Sequence, residues 1–85
     1  MTTDAPLFEY SRTGFRFEVY PGRIEIVDGA FIKKATTILA RSITSVSVEG
    51  IGKAKLRVET TGKRHEWIIG RDSDRARIAV LAAIG

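Results

Sequence analysis

Residues 23–48 read RIEIVDGAFIKKATTILARSITSVSV, and the reading of this stretch decides the fold. Ile24 and Ile26 alternate with Arg23 and Glu25, the period-two pattern of a strand with one face toward a core and one toward water. Asp28-Gly29 matches a tight type I′ hairpin turn, in which both central residues need a positive φ. A two-residue loop there pairs Ile26 with Phe31 and Val27 with Ala30, apolar opposite apolar, so turn chemistry and pattern agree. Residues 30–40 then read as one longer strand, kinked near Lys34-Ala35. The next strand, over residues 42–49, carries Ile43, Val46 and Val48.

Toward the N-terminus, Phe8 and Tyr10 alternate with Glu9 and Ser11. After the turn signal Arg12-Thr13-Gly14, Phe15, Phe17 and Val19 alternate with Arg16, Glu18 and Tyr20. Pro21-Gly22 suits a type II turn, because proline presets the first φ and glycine accepts a positive second one. Toward the C-terminus, Gly50-Ile51-Gly52 breaks the pattern and makes a loop. Residues 55–60 and 64–69 form a last hairpin around Thr61-Gly62. Loops of two or four residues both pair Leu56 with Trp67, Val58 with His65, Arg57 with Glu66 and Glu59 with Arg64. One face of this hairpin is then apolar apart from the histidine, and the other holds two complementary ion pairs.

After Gly70 the period lengthens to that of a helix, expected over residues 73–84. Asp72 or Ser73 can cap its start, and Asp74 suits the positive end of its dipole. Its apolar residues spread around most of the circumference, which predicts a helix either deeply packed or shared with a partner subunit. Residues 1–6 read as a disordered lead-in and residues 7–85 as one domain, mainly β with one C-terminal α-helix. The expected core is Phe15, Phe17, Val19, Ile24, Ile26, Phe31, Ile38, Ile43, Val46, Val48, Leu56, Val58, Trp67, Ile69, Ile78 and Leu81.

Composition narrows the function classes. The 85 residues include 14 Lys and Arg against 10 Asp and Glu, a formal net charge of +4. Hydrophobic residues at 44% and charged residues at 28% form an ordinary globular mixture, which argues against disorder. The absence of cysteine excludes disulfides, thiolate metal sites and cysteine nucleophiles. The longest apolar run, residues 78–84, falls well short of the roughly 20 residues needed to cross a bilayer. Residues 1–6 have neither the basic nor the apolar region of a signal peptide, so a soluble cytoplasmic protein is expected.

Seven short strands followed by one helix is the element order of the pleckstrin-homology superfold. Within residues 23–48, Phe31-Ile32-Lys33-Lys34, the strand-closing Ile38, and Ile43, Val46 and Val48 make the pattern resemble the bacterial pleckstrin-homology-like (bPH) family. Leu39 departs from it, since many members carry proline directly after the strand-closing isoleucine. The resemblance implies a seven-stranded, partly open barrel of two near-orthogonal antiparallel sheets, capped by the helix. It also implies a non-enzymatic interaction or scaffold module, protein-binding and self-associating as a homo-oligomer, with no cofactor. On the helix, Val80, Ala83 and Ile84 are the candidate self-association residues.

Catalytic motifs fail one by one. His65 is the only histidine and has no companion nucleophile. Glu18, Glu25, Glu59 and Glu66 fall on outward strand positions suited to cross-strand ion pairs. Gly50-Ile51-Gly52-Lys53 is not a phosphate-binding loop, which needs glycine at Ser47 and a hydroxyl at Ala54. Trp67, facing Leu56, reads as core and not as a stacking platform. No small-molecule substrate is expected. Lys33, Lys34, Lys53 and Lys55 are the candidate contacts for an anionic ligand or partner. An alternative function follows from them, peripheral binding of anionic membrane lipid through a basic rim. Arg12, Arg16 and Arg23 lack the spacing of the phosphoinositide signature, so no lipid specificity follows. Nucleic-acid binding is the weaker alternative, because the helix carries basic residues only near its start, at Arg75 and Arg77.

Overall fold

The alternating stretches form strands in the expected order. In a computed structural model that describes residues 5–85, they are β1 (Phe8–Arg12), β2 (Phe15–Tyr20), β3 (Arg23–Asp28), β4 (Lys34–Leu39), β5 (Ile43–Glu49), β6 (Lys55–Thr60) and β7 (Lys63–Ile68), followed by helix α1 (Ser73–Ile84). Residues 1–4 of the expected lead-in lie outside the described residues. The strands make two antiparallel sheets, β1-β2-β3-β4 and β5-β6-β7. Among the described residues no ladder joins the sheets, so they do not close into a barrel. β7 starts beside β4, where Lys63 and His65 share a groove with Thr36 and Ile38. It ends beside β1, where the Arg12 guanidinium donates to the Ile68 carbonyl. β7 therefore runs across the first sheet, and the two sheets enclose one interior.

The β6-β7 hairpin has the expected register, with Leu56 opposite Trp67, Val58 opposite His65, Arg57 opposite Glu66 and Glu59 opposite Arg64. Both ion pairs form: Arg57 lies 3.1 Å from Glu66 and Arg64 lies 4.0 Å from Glu59. The β3-β4 connection differs from expectation. Val27 pairs with Ala35 and Asp28 with Lys34, so the loop is residues 29–33 and not a two-residue turn. The far end of the pair explains why. The shorter turn would set Lys33 opposite the buried Ile24 and carry its charge onto the core face, whereas the observed register sets Ile38 there. Phe31, expected in the core, is fully exposed in consequence.

Phe17 is fully buried where the sheets meet. Its ring lies 6.2 Å from Phe8 in an edge-on contact and 5.2 Å from Trp67, so aromatic contact spans both sheets. Losing a buried phenylalanine costs about 3–5 kcal/mol, comparable to the lower end of the roughly 5–15 kcal/mol that stabilises a whole domain. Trp67 itself is only partly buried and stacks on His65 with ring centroids 5.7 Å apart.

Helix α1 closes the interior with small residues. It buries Ser73, Ala76, Ala79, Val80 and Ala83. Ile78 and Leu81, expected in the core, are 55% and 46% exposed. Alanines on the inner face let the helix backbone lie close over β2, β5 and β6, and larger side chains there would hold it away. The expected cap is also different. Asp72 stands at the N-cap position without a side-chain cap hydrogen bond, and its carboxylate lies 3.6 Å from Arg75. The buried Ser73 hydroxyl instead donates to the Ala54 carbonyl at 3.1 Å. That carbonyl also accepts from the Ile69 and Gly70 N–H groups, at 3.2 and 3.0 Å, so one oxygen ties the helix entry to the start of β6.

His65 provides a test of this packing. Its pKa lies below the usual imidazole value because burial against Trp67 desolvates the charged form, and Lys63 adds repulsion. The unfolded chain therefore takes up more protons once the pH falls below about 6.5. Stability from this group is complete above that value and is lost as the pH falls through the lower folded value. Thermal midpoints measured from about pH 7.5 to about pH 5 are expected to decline, and His65→Gln is expected to flatten the profile across that window.

Candidate functional site

The β1-β2 turn and the β3-β4 loop lie side by side, with the Gly29 N–H donating to the Gly14 carbonyl at 2.9 Å. An open cleft of about 410 Å³ separates them, with the exposed Arg16 and Lys33 among its lining residues. Arg12 also reaches the cleft, but it is held in place by the structure. Its guanidinium lies 4.7 Å above the Phe15 ring and 5.7 Å from the Tyr10 ring, and it donates to the Ile68 carbonyl. It clasps β1 to β7, which leaves Arg16 and Lys33 as the cleft's outward cations.

The β3-β4 loop depends on one glycine. Gly29 has φ +125°, and a Cβ placed there would sit 2.1 Å from the Ile32 carbonyl oxygen. The chain folds back on itself at that point and projects the next side chains outward. Phe31 is 100% and Ile32 89% exposed, and the exposed Lys33 and Lys34 follow. In the β5-β6 loop, residues 50–54, Gly50 and Gly52 have φ of +95° and +80° and hold a fully exposed Ile51 between them. Lys53 and Lys55 beyond it are exposed as well.

Hydrogen bonds connect the bases of these loops. Gly29 bonds to Gly14, Arg12 next to that turn reaches Ile68, and the following Ile69 and Gly70 bond to Ala54 at the base of the β5-β6 loop. Of the four candidate lysines, Lys33 and Lys53 lie in these loops and Lys34 and Lys55 open the strands that follow, and all four are exposed. The helix prediction fares differently. Val80 and Ala83 are buried in the protein's own interior, and only Ile84, 43% exposed, is free to meet another surface. The helical wheel could not separate the faces, because both are apolar and only residue size distinguishes them.

Sequence reasoning missed the apolar tips. It placed Phe31 in the core and gave Ile32 and Ile51 no role. The signal was a shared order of residue types: GAFIKK at residues 29–34 and GIGKAK at 50–55 each run from glycine through an apolar tip to two lysines. Among the described residues, no three of His, Asp and Glu come together as a metal site requires, and no helix is long and apolar enough to cross a membrane. Comparison with protein-family models, with curated proteins and with solved structures finds no match.

Gly29→Ala tests the loop. Both the positive φ and the close carbonyl oppose a Cβ, so a loss of about 1–3 kcal/mol is expected, a fall of at least about 4 °C in thermal midpoint. Gly62→Ala, where φ is +80° but nothing lies within 4 Å, is the comparison and is expected to lose less.

Proposed function

We propose that this domain is a non-enzymatic binding module that docks peripherally on anionic membrane surfaces through its β3-β4 loop. The observation that carries this reading is Phe31 and Ile32 standing almost wholly in water directly before Lys33 and Lys34. An apolar side chain of this size gains about 1.5–3 kcal/mol on leaving water. Each lysine near an anionic bilayer adds about 1 kcal/mol. A bilayer interface accepts both groups at once, the rings and aliphatic tips among the acyl chains and the ammonium groups among the headgroups. An acidic protein surface would satisfy the lysines and leave the apolar tip unexplained. The bPH resemblance supports a non-enzymatic binding role, without choosing between a membrane and a protein partner. So do the commitments of the titratable groups: His65 packs on Trp67, and Glu49 and Glu66 both pair with Arg57.

The test is co-sedimentation with phosphatidylcholine vesicles, with and without about 30% phosphatidylserine, at about 50 mM and 150 mM salt. Binding is expected only with phosphatidylserine, weaker at the higher salt but retained, because the apolar part of the contact is not screened. The double variant Phe31→Ser, Ile32→Ser is expected to bind at least about tenfold more weakly, equivalent to about 1.4 kcal/mol. Lys33→Glu with Lys34→Glu is expected to remove the preference for phosphatidylserine. Wild-type protein that ignores both vesicles overturns the reading. If light scattering then shows a mass above the monomer's, the expected self-associating scaffold takes its place.

A further inference from the structure

We infer that the β5-β6 loop is a second membrane contact, so that the domain rests on an anionic bilayer by two loops at once, residues 29–34 and residues 50–55. This rests on the membrane reading above and adds the partner loop and the orientation it imposes. The two segments share one order of residue types, GAFIKK and GIGKAK, with no carboxylate in either. Each projects its apolar tip by means of glycine backbone that other residues rarely adopt: Gly29 at φ +125° before Phe31, and Gly50 and Gly52 at +95° and +80° on either side of Ile51. Phe31 and Ile51 are both fully exposed, so neither contributes to the interior and the fold does not account for them.

The hydrogen bonds from Gly29 to Gly14, from Arg12 to Ile68, and from Ile69 and Gly70 to Ala54 connect the bases of the two loops through the β1-β2 turn and the end of β7. Two other turns are built differently. Pro21-Gly22 and Thr61-Gly62 carry no apolar tip, and nearby Arg23 and Arg64 pair with Glu25 and Glu59 at 3.5 and 4.0 Å. Asp28 and Glu49 stand opposite Lys34 and Lys55 at the base of the two loops, whereas Lys33 and Lys53 lie beyond them next to the apolar tips, and these cations complement an anionic bilayer. A single loop contact leaves a rigid domain free to tilt. A second contact becomes intramolecular once the first has formed, strengthens attachment without a new partner, and defines one face toward the membrane.

The chain contains no cysteine, so single cysteines at positions 31, 51 and 61 each take one environment-sensitive NBD label. With vesicles of phosphatidylcholine and about 30% phosphatidylserine, labels on Phe31→Cys and Ile51→Cys are expected to shift to the blue and brighten, and the label on Thr61→Cys to stay unchanged. In unlabelled protein, Ile51→Ser is expected to weaken vesicle binding about fivefold to tenfold, with circular dichroism unchanged because the side chain packs against nothing. A response at 31 with none at 51, and full binding by Ile51→Ser, overturns the two-loop inference and leaves the membrane reading standing. An equal response at 61 overturns the orientation. Silence at both 31 and 51, with no co-sedimentation, overturns the membrane reading itself.

Discussion

Two sheets that share no hydrogen-bond ladder can be held together only by what lies between them. In this molecule that is a small set of side chains centred on Phe17, which touches Phe8 on its own sheet and Trp67 on the other. Around it one hydrophobic cluster takes in residues of both sheets and the helix, among them Ile24, Leu56, Val58 and Val80, and specific polar links add to it. Arg12 clasps β1 to β7, and the Ala54 carbonyl gathers Ser73, Ile69 and Gly70. With so little shared backbone, the interior must be filled closely, and the helix meets it with alanines where a bulkier residue would force it away.

The same constraint creates the candidate site. Burying Ile24 against Ile38 requires a register in which β3 and β4 are joined by residues 29–33. The loop is longer than the hairpin turn that Asp28-Gly29 suggests, and the excess residues have no core to enter. Phe31 and Ile32 are pushed into solvent by the packing of residues several positions away. Their exposure is thus a consequence of core register, and Gly29 supplies the backbone conformation that makes the loop feasible.

Charge follows the same division. Of the carboxylates expected to pair across strands, Glu59 and Glu66 do so, Glu25 pairs along its own strand with Arg23, and Glu18 instead stands opposite Glu9 and Glu25; the exposed pairs add little stability. Lys34 and Lys55 stand opposite Asp28 and Glu49 at the base of their loops, and Lys33 and Lys53 lie beyond them beside the apolar tips. The modest overall charge of +4 is therefore less informative than its placement. Lysines beside apolar tips make these two loops amphipathic, whereas the turns at Pro21-Gly22 and Thr61-Gly62 carry no apolar tip.

Strand order, the β6-β7 register, the helix limits and most of the interior were legible in the sequence, because they depend on local periodicity and on turn residues close in the chain. Alternation assigns Phe15, Phe17, Val19, Leu56 and Val58 to the inside without reference to distant residues, and Thr61-Gly62 sets a hairpin whose partners are adjacent. The four lysines were legible as candidates by residue type, but their shared setting beside exposed apolar tips was not. Three matters were settled only by tertiary structure. The length of the β3-β4 loop depended on which residue would face Ile24, a competition that local turn preference lost to the cost of burying Lys33. The inner face of α1 depended on the space left above the sheets, which selects alanine over isoleucine although both are apolar. The linkage between the bases of the β3-β4 and β5-β6 loops depended on β7 crossing the first sheet to reach Arg12, a long-range arrangement with no local signature in the chain.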